Sequence, residues 1–443
     1  MTDARGAAAG ALTRWIDWAV PATPQERAAA LWSFAYFFVL LAGYYVLRPL
    51  RDQMGIAGGV RNLPWLFTAT FATLIVAQPV YGALVARLPR VRFIPLVYHF
   101  FVANLAVFWL LLTLDLGAVI VARVFFVWVS VFNLFAVAVF WSFMADLFSA
   151  EQGKRLFGFI GAGGTAGALL GPVITIALSV PLGPVNLLIA AAILLELAVF
   201  CVHRLERAAT AQAGARGIRA QPQRVGGNAF AALPELVRSP YLLGVGAWIS
   251  LLSFCATIVY LEQATIVAAT VHDRETQTRI FAGIDLAVSL LSLATQVFAT
   301  GRLLKRFGTG AAAGALPAVY VVGFAALFTT PTLAVVLTLQ VVQRWMHFAI
   351  ANPARQVFFT VLDREEKYKA KNLIDVVIYR GSDALYGWVF DSLQALGLKL
   401  GAIALVMMPI AAGWLMLSAA LGWAQERRAA ATGETAAVQG ERA

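Results

Sequence analysis

The residues best suited to chemistry in this chain are arginines in apolar surroundings. Arg48 and Arg51 close a run reading Tyr44-Tyr45-Val-Leu-Arg48-Pro-Leu-Arg51-Asp52, so two guanidiniums and a carboxylate fall within about one helical turn. Arg123 and Asn133 lie inside a second apolar run, which ends at Asp146. Arg344, His347, Asn352 and Arg355 share a third, with Arg344 and His347 on one helix face. Another run carries Asp375, Arg380, Asp383 and Asp391; Glu196, Glu262 and Asp285 each sit in a run of their own. An ionisable side chain in hydrocarbon costs about 3 kcal/mol or more unless it is paired or wet, so each of these is a candidate site residue. A guanidinium is a planar fork that matches carboxylate and phosphate, which makes the arginine set an anion-binding set. The plainer readings are a snorkelling surface anchor for Arg48 and Arg51, a packing donor for His347, and a structural pair partner for Glu196.

Covalent and metal chemistry have no such set. His99, His203, His272 and His347 are scattered without His-x-x-x-His spacing, and Cys201 and Cys255 lie in apolar runs without Cys-x-x-Cys spacing. No metal site, cofactor, nucleic-acid partner or enzymatic activity is expected.

The elements that must position these residues follow from composition. Of 443 residues, 60% are hydrophobic and 13% charged, against roughly 45–50% and about 25% in a soluble domain. The net charge is +11, and its basic residues sit mostly between apolar stretches, which points to a membrane. About 20 apolar residues cross a bilayer. Twelve such runs are predicted: 28–50, 63–86, 94–114, 117–144, 156–180, 185–203, 241–269, 277–300, 311–329, 333–361, 372–397 and 400–424. The fold class is thus an all-α membrane protein of twelve transmembrane helices. Its parts are an N-tail (1–27), a six-helix bundle (28–203), a polar linker (204–239), a second bundle (240–424) and a C-tail (425–443). Basic residues gather in the tails, the linker and alternate loops, which places both termini in the cytoplasm by the positive-inside rule. Short loops suggest a bacterial inner membrane, and a monomer is expected.

The two bundles repeat. Gly82 and Arg87 after the second run recur as Gly301 and Arg306 after the eighth, each 219 residues on. Parallel repeats of this kind are the layout of major facilitator transporters, and the Gly-x-x-x-x-Arg loops resemble that superfamily's cytoplasmic signature, with Ala86 and Lys305 where it has aspartate. These loops are expected to latch one conformation. Glycines at 161, 163, 164, 167 and 171 leave one helix face without side chains, which permits close helix packing.

Three strings carry a narrower resemblance: Tyr45-Val-Leu-Arg48-Pro-Leu-Arg51-Asp52, Phe140-Trp141-Ser-Phe143-Met-Ala-Asp146 and Lys369-Ala-Lys371-Asn-Leu-Ile374-Asp375. They resemble the nucleotide transporter family, the ATP/ADP antiporters, as a divergent member. The resemblance implies nucleotide exchange across a membrane. It implies a transport role for Arg51, where the family has lysine, and for Glu262. Arg380 stands in the stretch where the family has a further lysine, and a first-half glutamate of the family has no counterpart.

The sequence thus predicts a secondary transporter of an anionic, phosphorylated solute working by alternating access. Arg48, Arg51, Asp52, Arg123, Asn133, Glu262, Asp285, Arg344, His347, Asn352, Arg355, Arg380 and Asp383 form its expected site, in a cavity between the halves. Glu262, Asp285 and Asp383 are expected to pair with arginines when it is empty. A proton-coupled symporter or exporter of another solute is the nearest alternative; a scaffold or sensor is the alternative of another class.

Overall fold

The computed structural model describes residues 23, 26–87, 90–216, 238–362, 370–371 and 373–440, with 80–87, 90–92, 150, 154, 209–216, 376 and 431–440 described by backbone alone. They form helices throughout: α1 (Arg27–Ala57), α2 (Leu63–Arg87), α3 (Arg90–Thr113), α4 (Ala118–Leu147), α5 (Ala150–Leu182), α6 (Leu187–Arg216), α7 (Pro240–Thr270), α8 (Arg274–Phe298), α9 (Thr300–Thr329), α10 (Leu333–Met346), α11 (Asn352–Phe358), α12 (Tyr379–Ala395) and α13 (Leu400–Gly440). In a bilayer a helix satisfies its own backbone, which is why apolar runs of this length choose it.

Eleven helices among the described residues are long and apolar enough to cross a membrane, α10 and α11 acting as one through a π-helical turn, His347–Ala351. The eleventh expected span, 372–397, is the one that falls short: α12 has 17 residues, and it and the π-helical turn before it (Leu373–Ile378) carry Asp375, Arg380, Asp383 and Asp391. Three boundaries move. α6 runs on to Arg216, into the expected linker, whose residues 217–237 lie outside the described part. α13 runs to Gly440, through most of the expected C-tail. The loop expected after the eighth span is helical from Thr300, and the break falls at Gly308, whose φ of 79° only glycine adopts without cost.

The described chain clusters into two compact units. The first comprises the residues up to Gln53, Val76–Val225 and Thr278–Gly283; the second comprises Met54–Ile75, Gly226–Gln277 and the chain from Ile284 on. In the first, α5 lies along α1 through its glycines. A Cβ on Gly163 would come within 2.5 Å of the Phe34 carbonyl oxygen, and one on Gly171 within 2.7 Å of that of Ala42; Gly167 meets the Phe38 carbonyl more tightly still. Gly164 lies under the Phe37 ring, and Gly161 faces open space. The shared offset of 129 residues continues to the helix starts, where Arg155 and Gln152 bond the carboxylate of Glu26. The two helices therefore run parallel. Ser149 and Gln152 cap α5 reciprocally, satisfying amide groups that the first turn leaves open.

The core of the second unit is aromatic. Trp248 donates to Ser418 at 2.8 Å and packs on Trp414 and Phe358, and Tyr320 donates to Gln343 at 2.8 Å. Gly310 of α9 and Gly422 of α13 meet backbone to backbone. Trp388 of α12 donates to Thr68 at 3.0 Å, beside Trp65.

Candidate functional site

Two charged constellations stand within the helices, one in each unit. In the first, Arg51 on α1 reaches α4. Its Nε and Nη2 donate to Asp52 Oδ1 at 3.1 and 2.7 Å, its Nη1 to Ser130 Oγ at 3.4 Å, and its guanidinium lies 4.8 Å from the centre of the Phe126 ring. Asp52 is buried, so its charge needs this partner. Arg123, Phe126, Ser130 and Asn133 recur at steps of three and four on α4 and so form one stripe, the stripe that Arg51 touches. Arg48 is half-buried, its guanidinium 5.8 Å from the Tyr45 ring. Pro49 follows it; lacking an N–H, it leaves the carbonyl one turn back without its helical donor.

In the second unit three arginines each hold an acid. Arg344 on α10 donates to Asp285 on α8 at 2.6 Å, with Asp285 wholly enclosed. Arg355 on α11 donates to Asp375 at 2.8 Å, and Arg380 to Asp383, one turn on in α12, at 3.3 Å. Asp383 also accepts from Ser253 at 2.6 Å and Thr257 at 3.5 Å, both on α7. The two π-helical turns carry His347 and Asp375. The first has a clear cause: Pro353 has no N–H, and its ring collides with the carbonyl four residues back, so the chain widens over His347–Ala351. Such widenings recur at functional sites. His347 lies within electrostatic reach of Arg344 and Arg355, and Asn352 follows the widened turn.

Glu262 departs from expectation. It was to pair with an arginine; instead it is fully buried on α7, and among the described residues neither carboxylate oxygen has a hydrogen-bond partner. The reason is helical phase. Ser250, Ser253 and Thr257 turn toward α12, whereas Glu262 lies seven residues after Cys255 and fourteen after Trp248, on the stripe that Trp248 turns toward α13. Of the expected latch, Gly301 and Arg306 are exposed at the start of α9, whereas Gly82 and Arg87 are described by backbone alone.

Sequence reasoning missed the hydroxyl set of α7. Ser250 bonds Ser382 at 2.9 Å and Tyr386 at 2.8 Å, and Phe254 stacks on Tyr386 with centroids 4.0 Å apart. The only available signal was three hydroxyl residues at steps of three and four in an apolar run. Among the described residues, no three metal-ligating side chains gather.

No family model and no curated protein matches the sequence. Solved structures do match the fold. A bacterial homologue of the iron transporter ferroportin, in its inward-facing state, superposes with a TM-score of 0.64 over 90% of this chain and 98% of its own, at 10% identity. The nucleoside transporter NupG gives 0.58 over 92% and 99%, at 14% identity. A bacterial homologue of the lysosomal transporter Spinster gives 0.50 over 91% and 99%, at 15% identity. The chain has the major facilitator fold. At these identities the likeness carries the architecture and no substrate.

Proposed function

We propose that this protein is a secondary transporter that moves an anionic, phosphorylated solute across a membrane by alternating access. One observation carries the reading: arginines sit within the helices of both units, each described pair holding a single carboxylate. Arg51, Arg344, Arg355 and Arg380 have five N–H donors each, more than one acid can use. A phosphate group brings further acceptors, competes with the carboxylate, and so gives the two conformations different affinities, which is what drives a conformational cycle. Arg48, Arg123, Asn133, His347 and Asn352 line up on the same helix stretches and complete the recognition.

The three nucleotide-transporter strings, which hold Arg48, Arg51, Asp52 and Asp375, favour a nucleotide such as ATP or ADP as the solute, in exchange or with a coupling ion. The Gly82–Arg87 and Gly301–Arg306 stretches serve as latches of one conformation. A monomer in a bacterial inner membrane, with both termini in the cytoplasm, completes the proposal. The test is uptake of labelled ATP and ADP into proteoliposomes containing the purified full chain. Uptake by wild type that Arg51→Ala loses, with the variant still inserted and monodisperse, supports the reading. Equal uptake by Arg51→Ala removes that residue from the site.

A further inference from the structure

Glu262 is a fully buried acid of the second unit that, among the described residues, no arginine holds. Asp285, Asp375 and Asp383 each hold one. Glu262 is 0% exposed, and among the described residues neither of its oxygens has a hydrogen-bond partner. Along α7, Ile258, Val259, Leu261, Ala264, Ile266 and Val267 are buried and apolar, and the adjacent Gln263 is buried with them.

The elements packed against α7 include the turn Val60–Asn62, α10, the turn Leu373–Ile378, α12 and α13, and Phe67 of α2 and Phe358 of α11 touch it as well. Their charged and titratable groups are engaged or directed elsewhere. Arg61 is exposed. Arg344 holds Asp285, and Asp375 is held by Arg355. Arg380 and Asp383 hold each other; Tyr379 lies under Arg380, and Tyr386 bonds Ser250. Asp391 is two turns beyond Asp383 on α12, and α13 carries no charged group before Glu426. A carboxylate so enclosed would forfeit its hydration with nothing in return, whereas the neutral acid costs far less to bury.

Nor does packing require an acid there. At the 219-residue repeat offset the first unit has Gly43, where a Cβ would already touch Leu194 at 3.4 Å. A side chain that the fold can do without, and that costs stability as an ion, has another use.

We propose that Glu262 is a proton-binding site, occupied in this conformation and emptied when water reaches α7. The carboxylic acid O–H bond breaks, the proton passes to water, and the carboxylate remains. Resting on the transport reading above, the proton travels with the solute and offsets part of its negative charge. The solute arginines and the proton site are then different side chains.

The test is labelling by dicyclohexylcarbodiimide, an apolar reagent that adds to protonated carboxylic acids shielded from water. Full-length protein in proteoliposomes near neutral pH should carry one adduct on the α7 peptide, read by mass spectrometry. The yield should fall as the pH rises, Glu262→Gln should carry none, and Asp383→Asn should keep it. No adduct on Glu262 in the wild type, or a yield indifferent to pH, overturns the site; this arm needs no solute and no variant that folds. The second arm traps a pH dye inside the vesicles and adds ATP outside. Acidification of the lumen by wild type, absent with Glu262→Gln, supports coupling. ATP uptake without acidification overturns coupling. Neither uptake nor acidification defeats ATP as the solute, and the labelling result then decides the proton site alone.

Discussion

Helices one and five of the first six, and helices one and five of the second six, cross in opposite ways. At the repeat offset of 219 residues, Phe34 and Phe38 of α1 correspond to Ser253 and Thr257 of α7. Gly163, Gly164 and Gly167 of α5 become Ser382, Asp383 and Tyr386 of α12. The first crossing is dry, glycine against backbone carbonyl. The second is a hydrogen-bonded crossing of Ser250, Ser253, Thr257, Ser382, Asp383 and Tyr386. Its partners lie 126 to 136 residues apart, around the 129 of the first. One geometry thus serves two purposes. Where backbones touch, no volume is left for chemistry; where side chains meet instead, acids and hydroxyls can sit between the helices.

The largest effect should come from filling the dry crossing. Gly167→Leu drives a side chain into the Phe38 carbonyl, and neither backbone can retreat alone. A loss of about 3 kcal/mol or more follows, seen as the absence of a monodisperse peak in detergent size-exclusion chromatography. Next is the buried ion pair of the second unit. Asp285→Ala leaves Arg344 enclosed without its counter-ion and should cost about 3–5 kcal/mol, whereas Asp285→Leu with Arg344→Met should recover much of it in thermal melts.

Trimming the polar crossing should cost less. Ser253→Ala removes one hydrogen bond to Asp383, which keeps Thr257 and Arg380, so about 1 kcal/mol is expected, read as a small drop in melting temperature. The smallest effect concerns the clamp at the foot of the dry crossing. Burial raises the Glu26 carboxyl, but bonds from Gln152 and Thr23 and the Arg155 charge outweigh it, leaving its pKa at about 2 against an ordinary 4.5. A depressed folded value means stability that is present above pH 4.5 and lost as the pH falls toward 2. Melting temperatures across that window should decline more for wild type than for Glu26→Gln.

Most of this architecture was legible because hydrocarbon is a simple solvent. Eleven runs declared themselves by length and polarity, and the glycines of α5 by their four-residue step. α12 resists such reading for the reason that makes it interesting: Asp383 and Arg380 are tolerable only because α7 and α12 supply each other's partners, and hydropathy counts residues one helix at a time. The list of site residues was legible; their pairing was not. Arg344 with Asp285 spans 59 residues, and nothing along the chain selects that pair over Arg344 with Glu262. Both alternatives satisfy the same counting rule, and helical phase alone decides between them. The π-helical turn at His347–Ala351 was foreshadowed by Pro353, which the reading of charges passed over.

The central claim, that guanidiniums at membrane depth bind an anion, meets its most direct test in the melting temperature of the purified full chain against ATP, ADP, inorganic phosphate and dicarboxylates. A ligand that prefers the native state raises that temperature by mass action. The account predicts a concentration-dependent rise with a phosphorylated compound that Arg51→Ala abolishes. A rise of equal size in Arg51→Ala, or no response to any anion in the series, would contradict it.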